Sequence, residues 1–396
     1  MSLTTRSSRR FAKLGAGIVG LIAITALPSL ADPAPSSTDV VGVGSDAVQY
    51  VTQFGSDGDV AGDPGYNTAG NKNRSISFDA VPDANGRSGY LNGSTLASQK
   101  PLNPTIILRR GSFPIQRPNG GTAGLNALLA DSTHKIDYVR LPAPPTAAQQ
   151  QAALNAPGVG QLRVVQLATD TLTVAVSATS TNAPAGLTAL QLAKIYLGTY
   201  LTWGDIPGYS GPNAANTIKP LGLPSSATTY KNFLIDLNVA NGGAAGTPLT
   251  PANPNIVTVE QNDPTVIAAQ PAPADTILPI YQGRDSLYDS GYFHNPATVF
   301  PGGAAVPSGV NLLSGTAPGG GASYSDTTGF YVVFRSSDAA SATPWQPGGS
   351  KNWAQELFIY KGTSKPFFDT NNGHADIAAA GATPAYNDLG DGYSLN

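Results

Sequence analysis

The 396-residue chain contains no cysteine. Disulfides, thiolate metal sites and a lipidated N-terminal cysteine are therefore excluded. Charged residues are also scarce, at 12% against about twice that in an ordinary domain. A highly charged disordered chain does not fit this composition. With a formal charge of −3 and a pI near 5.6, the chain lacks the basic footprint that a nucleic-acid backbone demands. Catalytic signatures are missing as well: there is no Gly-x-Ser-x-Gly elbow, no Gly-Lys phosphate loop and no His-Glu-x-x-His. Histidines occur only at 134, 294 and 374, a spacing that suggests no metal cluster. Asp57, Asp59 and Asp63 sit in a Gly-rich loop but lack the later Glu and the Gly position of a calcium-binding hand. No metal, no cofactor and no enzyme activity are expected.

What is abundant is Gly and Pro, 45 and 33 residues, about a fifth of the chain where about 12% is ordinary. Long helical bundles and coiled coils are excluded. A hydrophobic share of 41%, with 16 Tyr and 12 Phe, is enough for a core. The composition describes a loop-rich globular protein.

Residues 1–31 carry Arg6, Arg9, Arg10 and Lys13 and no acid, then the uncharged run 14–27, and end in Ser29-Leu30-Ala31. This is the layout of a signal peptide cleaved after Ala31, with an apolar run too short to span a bilayer. Arg9-Arg10-Phe11 leaves open whether export is general or twin-arginine dependent. Cleavage would shift the formal charge from −3 to −7, because the segment holds four basic residues. Any anion site on the mature chain must then be local.

After a disordered leader at 32–39, residues 40–46 read as a buried strand entering a Gly turn, with a helix starting near Ser45. Strands are expected at 106–108, 136–139, 162–167, 171–176, 256–259, 276–280 and 330–334. Helices are expected over 120–131, 145–155, and from Thr188, where Gln191 completes a capping box, to Gly198. Residues 56–73 and 296–327 read as loop. The alternation of strands and helices from residue 40 to about 280 predicts an α/β architecture.

Three Gly/Ser/Thr turns each fall between a strand and a helix: 42–46, 120–124 and 225–229. Helix N-termini present free N–H groups and a partial positive charge, so several meeting in one cleft bind an anion without net positive charge. Each turn alone is also an ordinary helix start.

The order of these segments resembles the substrate-binding proteins of phosphate-type ABC transporters, in the divergent form found in actinobacteria. Gly42-Val43-Gly44-Ser45-Asp46 matches the first binding loop. Arg117-Pro118-Asn119-Gly120-Gly121-Thr122-Ala123-Gly124 matches the second, and Ile136-Asp137-Tyr138-Val139-Arg140 follows. Most diagnostic is 187–198 with Trp203, which is similar to the family's Leu-x-x-x-x-Leu-x-x-Ile-Tyr-x-Gly helix and its following Trp. Residues 260–265, 277–280 and 375–381 extend the likeness to the C-terminus.

The resemblance implies a two-lobed periplasmic-binding-protein-like (type 2) α/β fold with an interlobe cleft and hinge strands. Lobe 1 would take 40–178 and 328–396, and lobe 2 would take 179–327, including a Gly/Pro-rich insertion at 296–327. The implied ligand is a small oxyanion, phosphate foremost, bound by Gly44, Ser45, Asp46, Arg117, Gly120, Gly121, Thr122, Arg140, Ser225, Ser226 and Thr228. The implied partner is an ABC permease, and the expected state is an exported monomer.

Two positions depart from the family pattern. Leu223-Pro224-Ser225-Ser226-Ala227-Thr228-Thr229 replaces a Gly-Ser-Gly-Thr turn with its Arg, and Arg140-Leu141-Pro142 stands where a proton-accepting carboxylate is expected. A repair is available in which Asp46 accepts the proton of hydrogen phosphate while Arg140 or Arg117 neutralises the remaining charge. Equally, Asp46 caps its helix and Arg140 pairs with a surface acid. The alternative function is a secreted or cell-surface interaction module that keeps the fold without a transport ligand. A secreted hydrolase would need an acid/base pair, and the sequence does not identify one.

Overall fold

A computed structural model of the chain describes residues 34–59, 61–69, 73–80, 105–225, 227–293, 305–340 and 352–395. The expected signal segment, Ser226, His294 and residues 296–304 lie outside the described residues. Strand β1 (Val40–Gly44) leads through a turn to α1 (Gln49–Asp57) and β2 (Ser75–Ser77). A hairpin of β3 (Thr105–Ile106) and β4 (Ile115–Gln116) precedes α2 (Gly121–Ala130), β5 (Tyr138–Leu141) and α3 (Ala147–Asn155). Next come β6 (Leu162–Ser177), α4 (Ala189–Tyr196), β7 (Lys219–Gly222), α5 (Thr228–Ala240), β8 (Val257–Thr258), β9 (Thr276–Tyr281) and α6 (Gln282–Asp289). The chain closes with β10 (Val310–Leu312), β11 (Asp326–Arg335), α7 (Ser336–Ala340), α8 (Trp353–Leu357), α9 (Asn371–Ala379) and β12 (Thr383–Asp391).

The α/β alternation is present, and local chemistry explains where elements start. Thr146 and Thr188 each form a full capping box, with Gln149 and Gln191, at the heads of α3 and α4. Gly198 follows α4 at φ +77°, the left-handed backbone that stops a helix at glycine. The helix expected near Ser45 begins at Gln49 instead. Residues 45–48 are spent on a turn in which Ser45 Oγ accepts from Ala47 N and Asp46 O accepts from Gln49 N. Strand β10 falls inside the stretch read as loop, and three residues are too few to display a period of two. From Pro35 onward the expected leader is tied down: Arg110 N donates to Pro35 O, and the Arg109 guanidinium donates to Ser36 O and Asp39 O.

The two strands expected at 162–167 and 171–176 are one strand, and this organises the sheet. The sheet order is β2-β1-β5-β11-β6-β9-β7-β8, with β10 and β12 also on β6. The first half of β6 lies between β11 and β12, and residues 172–177 lie between β9 and β10. One strand group is thus β2-β1-β5-β11 with the first half of β6 and β12. The other is β8-β7-β9 with the second half and β10. Pairing is parallel among β1, β2 and β5 and among β7, β8 and β9, and antiparallel wherever β6 takes part.

Strand β1 is buried on both sides, as a parallel strand covered by helices must be. On one face Val41 and Val43 pack with Leu125 and Leu128 of α2. On the other, the Tyr138 ring lies directly over Gly42, where a Cβ would stand 2.1 Å from the ring carbon Cζ. The larger core continues from Tyr138 through β6 to Trp203, Phe233 and Ile277. Among the described residues, no helix is long and apolar enough to cross a membrane.

Candidate functional site

Ligands of open α/β sheets bind beyond the carboxyl ends of parallel strands. Here β1 ends at Gly44, whose φ of +118° requires glycine and whose backbone bridges to Asn119. Ser45 N donates to Arg140 O at 3.0 Å, binding the first turn to the end of β5. Helix α2 approaches this turn so closely that a Cβ on Gly124 would lie 2.6 Å from Gly44 Cα. At the head of the same helix, a Cβ on Gly121 would lie 3.0 Å from Thr228 Oγ1, the first residue of α5. The three turns are therefore contiguous, and α2 and α5, one from each strand group, meet at their N-termini.

Neither of these two N-termini has a side-chain cap or an acidic residue in its first turn. Helices α3, α4, α8 and α9 are capped by Thr146, Thr188, Asn352 and Thr370, while α1 and α6 also start without a side-chain cap, α6 with Asp285 in its first turn. Thr229 Oγ1, also in the first turn of α5, is buried without a hydrogen-bond partner. Free donors of two helix starts thus converge where an acceptor would be stabilised by both dipoles.

Asp46 is fully buried beside them. Its Oδ2 accepts from Asn262 Nδ2 at 2.8 Å, while its Oδ1 has no hydrogen-bond partner. Burial pushes the Asp46 carboxyl above the ordinary carboxylate range, against the pull of the Arg284 charge and the Asn262 bond. Glu260, on the loop after β8, is raised by burial and by the charge of Asp46. Its neighbour Gln261 donates from Nε2 to Asn119 Oδ1 at 3.3 Å.

Arg140 is also fully buried. Its Nη1 donates to Ser77 Oγ, its Nη2 donates to Phe78 O at 2.8 Å and Gly44 O at 3.3 Å, and its Nε has no partner. Burial lowers its pKa to about 10. Arg117 Nη1 donates to Asp79 O at 2.8 Å. Both arginines hold backbone carbonyls of the loops around the first turn, and among the described residues no carboxylate pairs with the Arg140 side chain by a hydrogen bond or ion pair. Among the other expected residues, Ser45, Gly120 and Gly121 are buried, Thr228 is half-buried, and Thr122 and Ser225 are exposed.

Sequence reasoning did not single out Asn262 and Arg284. Asn262 lies in a segment noted only for its resemblance, although Asn before Asp-Pro is a turn signal. Arg284 is the only Arg between Arg163 and Arg335. Scarcity was its one available signal. Among the described residues no group of three His, Asp or Glu is arranged to hold a metal ion. A cavity of about 390 Å³ lies elsewhere, beside Thr171, Thr173, Gln282 and Ser323, and does not include the turns described above.

No family model matches the chain, and no curated protein does. Among solved structures, the chain is similar to an ABC-type phosphate transport receptor from Vibrio cholerae. The identity is 13% and the TM-score 0.47, over 88% of this chain and 100% of that one. It is similar to a phosphate-binding protein from Stenotrophomonas maltophilia at 13% identity and TM-score 0.47, over 87% and 90% of the two chains. It is also similar to PstS from Borrelia burgdorferi at 14% identity and TM-score 0.41, over 87% and 98%.

Proposed function

We propose that this chain is an exported, non-catalytic solute-binding protein that captures a small oxyanion, hydrogen phosphate foremost, and passes it to an ABC permease. The observation that carries the reading is the meeting of the uncapped N-termini of α2 and α5, Gly121 against Thr228. Two helix starts offer an anion several N–H donors without a net positive surface. Asp46 supplies the complementary half. Its unpartnered Oδ1 accepts the remaining proton of hydrogen phosphate, whereas sulfate has no proton to give and meets the carboxylate as a like charge. The loop-by-loop resemblance to phosphate-type binding proteins supports the same assignment, as does the basic, apolar segment at 1–31 for export. Closure about β6 and the start of β11, with the turns of the two strand groups facing each other, is the motion this reading calls for.

Calorimetric titration of the mature chain, residues 32–396, with phosphate and with sulfate tests the reading. Phosphate is expected to bind at micromolar concentration or tighter, sulfate far more weakly, and Asp46→Asn to erase the difference. Silence for every oxyanion tried would overturn it in favour of a surface interaction module built on the same fold.

A further inference from the structure

The turn at Asp46 belongs to one strand group and the loop at 260–263, after β8, to the other. Their junction is made by two residues. Asn262 is fully buried at φ +54°, a left-handed backbone that non-glycine residues seldom adopt and that Asn tolerates best. Its Nδ2 donates to Asp46 Oδ2 at 2.8 Å, its Oδ1 accepts from Tyr281 N at 3.4 Å, and its carbonyl accepts from Arg284 Nη1 at 3.3 Å. Every polar group of the side chain is engaged, which is what holds a residue in a sparsely populated conformation.

Arg284, on α6, completes the junction. Nη1 donates to Asn262 O, Nη2 donates to Asp46 O at 3.0 Å, and the guanidinium lies 4.7 Å from the centre of the Tyr50 ring on α1. One planar fork thus grips the backbone of both loops at once, a geometry that a lysine cannot reproduce. The head of α6 is itself fixed at the middle of β6, where Asp170 accepts from Gly283 N at 3.1 Å. The grip is therefore anchored at the point where the strand passes from one group to the other.

We propose that Asn262 and Arg284 are a latch that holds the 260–263 loop on the 44–46 turn and positions the Asp46 carboxylate, assigning Oδ2 to the latch and Oδ1 to the ligand. As to the ligand, the proposal rests on the function proposed above; as to the latch, it does not. All the bonds in it run from protein to protein, so they hold the loops with or without a bound anion. A ligand arriving at Oδ1 adds to the latch rather than displacing it. The selectivity of Asp46 then depends on a residue contributed by the opposite group.

The test uses the mature chain and the variants Asn262→Gly, which keeps the positive φ and removes the carboxamide, and Arg284→Met, which keeps an apolar stem against Tyr50. Amide hydrogen exchange is read first, without added anion. Exchange of amides in 44–47 and 260–263 is expected to rise at least tenfold in either variant while the core of β6 and β9 stays protected, which also shows that the variants fold. In an Asp46→Ala background, which removes the acceptor of the Asn262 bond, Asn262→Gly is expected to add less than a twofold further increase. Phosphate titration is read second. Affinity for phosphate is expected to fall about tenfold in Asn262→Gly, through faster dissociation at an unchanged association rate. Unchanged exchange in both loops would overturn the latch whatever the ligand. Raised exchange without phosphate binding by any form, parent included, would keep the latch and overturn the function.

Discussion

Gly121 and Thr228 are first residues of helices that belong to different strand groups, yet a Cβ added to Gly121 would come within 3.0 Å of Thr228 Oγ1 and of Leu141 Cδ2. Two helix starts are seldom left uncapped and set face to face without a reason, because their partial charges repel. The anion proposed to bind there would remove that repulsion.

Gly121→Ala places a methyl group in this gap. Leu141 Cδ2 and Thr228 Oγ1 are ends of side chains that can yield by a few tenths of an ångström, whereas Pro142 Cδ, at 3.2 Å, is held in its ring, so the fold should lose about 1–2 kcal/mol. Anion binding should weaken by tenfold or more, as calorimetry on a variant of nearly parental Tm would record.

Gly124→Ala behaves differently. There the added methyl meets the backbone of Gly44 at 2.6 Å, which has no rotamer to change. A loss of about 1–3 kcal/mol is expected, seen as a clear fall in the chemical-denaturation midpoint at unchanged slope.

Arg140→Lys replaces a fork of five N–H donors by an ammonium with three, at a fully buried position that ties Gly44 O, at the end of β1, and Phe78 O, just after β2. Lysine carries the charge but not the fork, and two carbonyls lose a donor. Thermal unfolding should report a loss of about 2–4 kcal/mol, well beyond that of an exposed Arg such as Arg110.

Stability should fall as pH rises from the ordinary carboxylate range to about 7 and level off above it. Asp376 on α9 is fully buried with neither carboxylate oxygen partnered, and burial together with the charges of Asp59 and Asp63 raises it to about 7. Asp170 is raised to about 7 by burial, although Gly283 N and Thr171 N donate to it. Both groups hold a proton in the folded chain that the unfolded chain gives up near an ordinary carboxylate pKa. Their contribution is complete below that value and disappears as pH passes through the folded pKa near 7. Asp376→Asn should raise Tm at pH 8 by about 2–5 °C and flatten the decline between pH 5 and 8. An equal decline in the variant would rule out Asp376 as its source.

Most of the local architecture was legible in the sequence, for reasons that stay within a few residues. Thr188 and Gln191 write the capping box of α4, and Gly120 and Gly121 mark the start of α2. The α/β alternation followed from such signals. What was not legible depends on residues distant in the chain. Residues 162–167 and 171–176 look like two strands because Thr169-Asp170-Thr171 interrupts the apolar pattern; they are one strand because β11 and β9 continue the ladder across the interruption. The site divides in the same way. The turns at 44, 121 and 228 are local, but whether Arg140 faces a ligand or a carbonyl, and which residue orients Asp46, is decided by Phe78, Asn262 and Arg284 from other segments.

The 16 residues of β6 bear on how the chain comes apart as well as on how it works. Because each half is hydrogen-bonded on both edges by a different set of partners, neither set can melt without stripping one end of a strand the other still needs. Two sheets that share a backbone in this way lose their independence. The chain should therefore unfold in a single cooperative step, and a substitution on the β8 side should be felt thermodynamically as far away as β2.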